Sequence, residues 1–176
     1  MVIDPALVHQ LPNQGHEFNG DSAIKRLTPA GPDHAQVAAI AGIIDYFEQL
    51  DAHHYPESDP AEAPARVRAL IREQEVSLTT ALLDYIDGLT RAQLLGPRDP
   101  AVKAPTIALR CDRSGIEVVR DLAERGIIAG GGDFYGGRVL DALGVDRSHG
   151  VLRLSLAHYN TIDEVEQVAS ALAGVV

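Results

Sequence analysis

Arg153 is the residue whose setting most directly suggests chemistry. It lies in a β-like apolar run (Val151, Leu152, Leu154, Leu156) that breaks at Tyr159-Asn160 and restarts at Thr161. A guanidinium presents a planar fork of donors that fits a carboxylate or phosphate through two parallel hydrogen bonds. Thr161 followed by Glu164 has the spacing of a capping box, so a helix is predicted to start at that corner. By spacing alone, an edge-strand arginine in a surface ion pair fits the same pattern. The second chemical feature is the run Gly130–Gly137, which follows an apolar stretch and precedes a helical one. Such a run can cradle phosphate on backbone N–H groups, but it lacks the Lys-Ser/Thr pair of a P-loop.

Other reactive side chains are few. The only cysteine, Cys111, falls at a strand end before Asp112, where a small buried hydrophobe is the ordinary role. His53, His54, His149 and His158 show no metal-ligand spacing, and His53-His54 reads as a loop pair. His158 neighbours Tyr159 at the corner and reads as structural. There are two lysines: Lys25, beside Arg26, and Lys103, in the Pro-rich link from Gly96 to Pro105 that has the composition of an exposed turn.

The elements that must position these groups follow from periodicity. Residues 1–32 are turn-rich, with Pro5, Pro12, Gly15, Gly20 and Pro29 and little apolar period. A helix is predicted from Asp33, its cap, through Val37, Ile40, Ile43, Ile44, Phe47 and Leu50. After a break over 51–60, a longer helix runs to about Thr90. Strands and helices then alternate: strands at 93–95, 106–110, 127–129 and 151–156, helices at 114–125, 137–143 and 162–172. In the first of these helices Ile116, Val119 and Leu122 are expected to face inward. The pattern describes an α/β sandwich of the α+β kind, a sheet with helices packed on it.

Composition narrows the partners. The 176 residues allow one domain with a real core, or a small domain plus part of another. A net charge of −10 argues against nucleic-acid or anionic-membrane partners, both of which want dense positive charge. No apolar run is long enough to span a bilayer, no signal segment is evident, and a single cysteine fits a reducing cytoplasm.

Four stretches in register carry a resemblance. They are Leu11–Phe18; Gly31–Ala35 with Ala41–Tyr46; Gly126–Tyr135 with Val139–Gly144; and Arg153–Thr161 with the following helix. Together they resemble the class V aminotransferase and cysteine-desulfurase-like family of pyridoxal-phosphate (PLP) enzymes, of fold type I. The resemblance implies that residues 1–58 are the end of a large PLP domain, a loop plus helix 33–50. Residues 59–176 would be the C-terminal small domain, with a mixed, largely antiparallel sheet.

The same resemblance implies roles. Arg153 would hold the α-carboxylate of an amino-acid substrate, Asn160 would shape the corner, and Phe134 and Tyr135 would line the entrance. Thr28 and Gly31 fall nearest the loop that contacts the PLP phosphate, although Pro32 stands where a hydroxyl is usual. The Schiff-base lysine is expected upstream of Met1, which leaves no catalytic residue and no metal ligand in this chain. Asp133, Phe134 and Tyr135 occupy the loop where persulfide-forming desulfurases carry a cysteine, so an aminotransferase-like or lyase-like role fits better. The expected partners are an amino-acid substrate and either a second copy or a complementing large-domain chain. The alternative reading is a non-catalytic α/β interaction or ligand-binding module.

Overall fold

The computed structural model of the chain describes residues 4–15, 19–27 and 34–176. They fall into two compact units, 1–64 and 65–176.

The first unit is short helices and turns. Helix α1 (Pro5–Val8) is capped by Asp4, whose carboxylate accepts from the Ala6 N–H at 2.8 Å. The Arg26 Nε donates to the Leu11 carbonyl at 2.9 Å and ties the turn-rich stretch together. Helices α2 (His34–Ala38) and α3 (Ile40–His54) form the predicted apolar helix, interrupted at Ala39. The expected cap, Asp33, lies outside the described residues. The helix runs four residues beyond Leu50 and ends at Tyr55, so His53-His54 is its last turn and not a loop. The two rings meet edge to face, with centroids 4.9 Å apart. Val37, Ile40, Ile43, Ile44 and Phe47 are all exposed, and Asp51 is the one buried residue of α3. A cavity of about 460 Å3 lies within this unit, lined by Ile44, Phe47, Asp51, Tyr55 and Pro56 among others.

In the second unit the chain builds a four-stranded sheet with helices on it. Helix α4 (Ala63–Ile86) follows a short 3-10 turn that Asp59 caps. The strands are β1 (Ala92–Leu95), β2 (Thr106–Cys111), β3 (Gly130–Gly132) and β4 (Val151–Ser155), in the order β1-β2-β4-β3. The remaining helices are α5 (Gly115–Glu124), α6 (Gly137–Ala142) and α7 (Ile162–Ala173). The expected mixed sheet is antiparallel at every pairing. Its reason is the insertion of β4 between β2 and β3, so the two strands joined through α5 never pair directly.

Alternation of side chains along β2 and β4 decides the faces. Ile107, Leu109, Leu152 and Leu154 point into the main core, where α4 brings Leu78, Leu82 and Leu83, α5 brings Val118 and Leu122, and α7 brings Val165 and Leu172. The other face carries a small satellite cluster of Leu140, Val145 and Val151, joined by Leu95, Ala108 and Phe134. Beyond that cluster the face is polar: Thr106 and Ser155 meet across the ladder at 3.3 Å, and Arg110 and Arg153 are exposed.

Two expectations need correction. The third strand is Gly130–Gly132 and not 127–129, because β3 passes where backbones crowd. A Cβ on Gly131 would collide with the Gly115 carbonyl at the start of α5, and one on Gly115 with the Val151 carbonyl. Ile127 and Ala129 pack on the core from an unpaired approach, and Ile128 is fully exposed. In α5, Ile116 is half exposed and Val118 is buried in its place. Capping by Ser114 sets the phase of the helix so that Val118 and Leu122, four apart, face the sheet.

Candidate functional site

Arg153 sits in the middle of β4, opposite Ala108 of β2 and Gly130 of β3. The strand is flanked on both sides, so the edge-strand reading fails. The ion-pair reading fails with it: Arg153 has no carboxylate partner among the described residues. Other arginines are paired, Arg91 to Asp112, Arg98 to Asp84 and Asp87, Arg113 to Asp121, and Arg147 to Asp141. What holds Arg153 is a ring. Its Cζ lies 4.0 Å from the centroid of Phe134, a cation–π contact worth about 0.5–1 kcal/mol at an exposed site.

That ring is placed by its backbone. Phe134 and Tyr135 both have positive φ, 51° and 58°, a region that costs a non-glycine residue about 1–3 kcal/mol. The Asp133 carboxylate accepts from the Tyr135 N–H at 3.1 Å, and the Asp133 carbonyl accepts from the Gly136 N–H at 2.8 Å. The loop therefore turns sharply, lays Phe134 back over β3, and leaves Tyr135 fully exposed. Phe134 and Arg153, both read from the sequence, are brought into contact. Gly130 stands in the sequence only as the first residue of the glycine run, yet an added Cβ there would come 2.9 Å from the Phe134 Cζ. The signal was a glycine run followed by two aromatics, which reads as a loop until the ring's resting place is known.

The corner after β4 is tightly bonded. The Asn160 Oδ1 accepts from the Ala157 N–H at 2.7 Å, and its Nδ2 donates to the Glu164 carboxylate at 3.0 Å. Its carbonyl accepts from Gln74 of α4 at 3.2 Å. Thr161 and Glu164 form the expected capping box. The Thr161 N–H, and then the Asn160 amide, hold the Glu164 carboxyl below the usual carboxylate range. Asn160 thus spends both ends of its amide on holding the turn.

Groups for covalent chemistry are scarce. Cys111 is buried, and desolvation, with the charge of Asp112 adding to it, pushes its thiol up to about 11. Lys103 is less exposed than its Pro-rich surroundings suggested; burial, then the nearby Arg98, lowers its pKa. Thr28 and Gly31 lie outside the described residues. No group of three or more His, Cys, Asp or Glu side chains suited to a metal occurs among the described residues. None of the described helices is long and apolar enough to cross a membrane. A polar hollow of about 440 Å3 near Arg110, Asp146 and His149 mixes both signs of charge, with the His149 Nε2 2.9 Å from the Cys111 carbonyl.

No family model matches the chain. It is 30% identical to Aminotransferase-like protein FGM3 of Gibberella zeae over 170 residues, covering 93% of this chain and 39% of that protein. An uncharacterized protein of Mycobacterium tuberculosis is also 30% identical, over 145 residues, with 79% of this chain and 34% of that one covered. The chain thus spans less than two fifths of the curated relatives it matches. Among solved structures, the cysteine desulfurase CsdA of Escherichia coli superposes with a TM-score of 0.64 at 21% identity, over 98% of this chain and 40% of the other. At that identity the likeness is one of fold, and it agrees with the small α+β domain expected from the sequence.

Proposed function

We propose that this chain supplies the small domain and the substrate-carboxylate clamp of a PLP-dependent enzyme acting on an amino acid, of the class V aminotransferase and cysteine-desulfurase-like kind. The observation that carries the proposal is Arg153. It is an exposed guanidinium on a central strand, stacked on Phe134, with no carboxylate of the described residues to neutralise it. In a chain of 25 acidic and 15 basic residues, an arginine left without such a partner on a rigid strand is suited to an incoming anion. Its fork would bind the α-carboxylate by two parallel hydrogen bonds and fix the substrate's orientation. Phe134 would shield one face of the pair from water, Tyr135 would line the approach, and Asn160 would keep the corner still. Similarity to an aminotransferase-like protein and a desulfurase fold both support this reading.

On this reading the seat for PLP is expected to lie outside the described residues. The three glycines that could have cradled its phosphate are strand β3, laddered to β4. Cys111 is a buried thiol of raised pKa, in keeping with an aminotransferase-like or lyase-like role and not with persulfide transfer. The cofactor, the reacting lysine and turnover would therefore come from protein beyond these residues, in a larger chain or a complementing one.

The test is to titrate the purified chain with PLP, reduce with borohydride and map any labelled lysine. Weak, scattered labelling of Lys25 and Lys103 is expected, with no amino-acid-dependent product. A saturable adduct at Lys25 alone would overturn the reading and make the chain a PLP protein in its own right. The exposed apolar positions of α2 and α3 favour a second reading, a non-catalytic interaction module. On that reading, the chain would show no amino-acid binding for Arg153→Ala to abolish.

A further inference from the structure

We infer that Phe134, seated by Gly130, is a positioning residue that fixes the plane of the Arg153 guanidinium, so that the site accepts a carboxylate edge-on and in one orientation. This rests on the reading of Arg153 as a carboxylate clamp and adds how the clamp is aimed.

Several features converge on the ring. The Arg153 Cζ lies over the Phe134 ring, 4.0 Å from its centroid, and the Arg153 side chain is otherwise exposed. A guanidinium is weakly hydrated on its faces and donates only in its plane, so stacking costs it no hydrogen bond and restricts its rotation. The ring is anchored from behind, packed against the satellite cluster of Leu140, Val145 and Val151. It reaches that place through a left-handed backbone at Phe134 and Tyr135 that ordinary side chains avoid. Room for it exists because the residue beneath has no side chain: a Cβ on Gly130 would meet the ring at 2.9 and 3.0 Å and approach the Arg153 Nε at 3.7 Å. Gly130 is also the register partner of Arg153, so the strand that would otherwise crowd the arginine is cleared at that rung. A loop with two strained residues, laid over a bare glycine of β3, keeps that ring in place. An already oriented donor pair loses less freedom when its ligand arrives.

The experiment uses the full chain, with L-alanine as the carboxylate probe and L-alaninamide as the control. NMR of the arginine Nε–Hε groups reads both binding and the order of the Arg153 side chain. The wild-type chain should show an ordered Arg153 Nε–Hε that shifts with L-alanine and not with the amide. Phe134→Leu should disorder that group and weaken binding roughly two- to fivefold, the worth of an exposed cation–π contact. Phe134→Tyr should restore both, and Gly130→Ala, which pushes on the ring without removing it, should reproduce the loss. If Phe134→Leu does not fold, the Tyr and Ala variants decide. Should Phe134→Leu, or Gly130→Ala in its place, match the wild type in order and affinity while Arg153→Ala abolishes binding, the positioning role is wrong and the clamp stands. If Arg153→Ala binds L-alanine as the wild type does, or the wild type does not bind it, the clamp itself falls and the positioning role with it.

Discussion

Unit 65–176 and unit 1–64 both contain helices with apolar residues at helical spacing, yet among the described residues it is unit 65–176 that buries them in a core. In α4, Leu78, Leu82, Leu83 and Ile86 are sealed against a sheet. In α3, Ile40, Ile43, Ile44 and Phe47 face solvent, and the single buried residue is an aspartate. The difference teaches that periodicity identifies a stripe able to be buried but does not supply the surface that buries it. A sheet with Ile107, Leu109, Leu152 and Leu154 on one face is such a surface, and the described residues of the first unit form no sheet.

The largest expected effect sharpens that contrast. Leu152→Ala should cost about 2–5 kcal/mol in denaturant unfolding, the range for emptying a sealed leucine site. Ile43→Ala should change stability by less than about 0.5 kcal/mol, as exposed substitutions do. Equal losses at the two positions would erase the distinction between the units. Next comes the crowded meeting of α5 with β3 and β4. Gly115→Ala should cost about 1–3 kcal/mol by forcing a methyl against the Val151 carbonyl, with the same unfolding measurement as the check.

Capping contributes less. Thr161→Ala should destabilise the second unit by about 1 kcal/mol, through loss of the hydroxyl that accepts from the Glu164 N–H. The smallest effect is in pH dependence. Glu164 has its folded pKa below its ordinary 4.5, so its contribution is present above that value and drains away as pH falls through the folded one. Between about pH 5 and 2, Glu164→Gln should therefore lose less stability than the wild type, as followed by thermal unfolding. A steeper acid loss in the variant would mean the carboxylate is not stabilising the corner.

Much of the second unit was legible in the sequence because its signals are local. Thr161 with Glu164 announces a helix start within four residues, and that capping box is formed; the helix read from Ser114 starts there too, where the structure adds a second box with Glu117. The strands at Thr106 and Val151 are also where β-branched and apolar runs put them. The third strand was misplaced because the usual preference for apolar, β-branched residues there points to Ile127-Ile128. Glycine was required instead, by the approach of α5 and by the ring lying over Gly130, neither of which a local window contains.

The site divides the same way. Residue type and strand context allowed an anion ligand or a surface ion pair at Arg153 alike, and only the resemblance to a family favoured the first. Its central position, its freedom from carboxylates among the described residues, and its stacking on a ring nineteen residues earlier were decided by the order β1-β2-β4-β3. The physical reason is range. Caps, turns and side-chain alternation are set by residues within a few positions, whereas which strands lie side by side, and which side chain must vanish to let another rest there, depends on groups that meet only when the sheet closes.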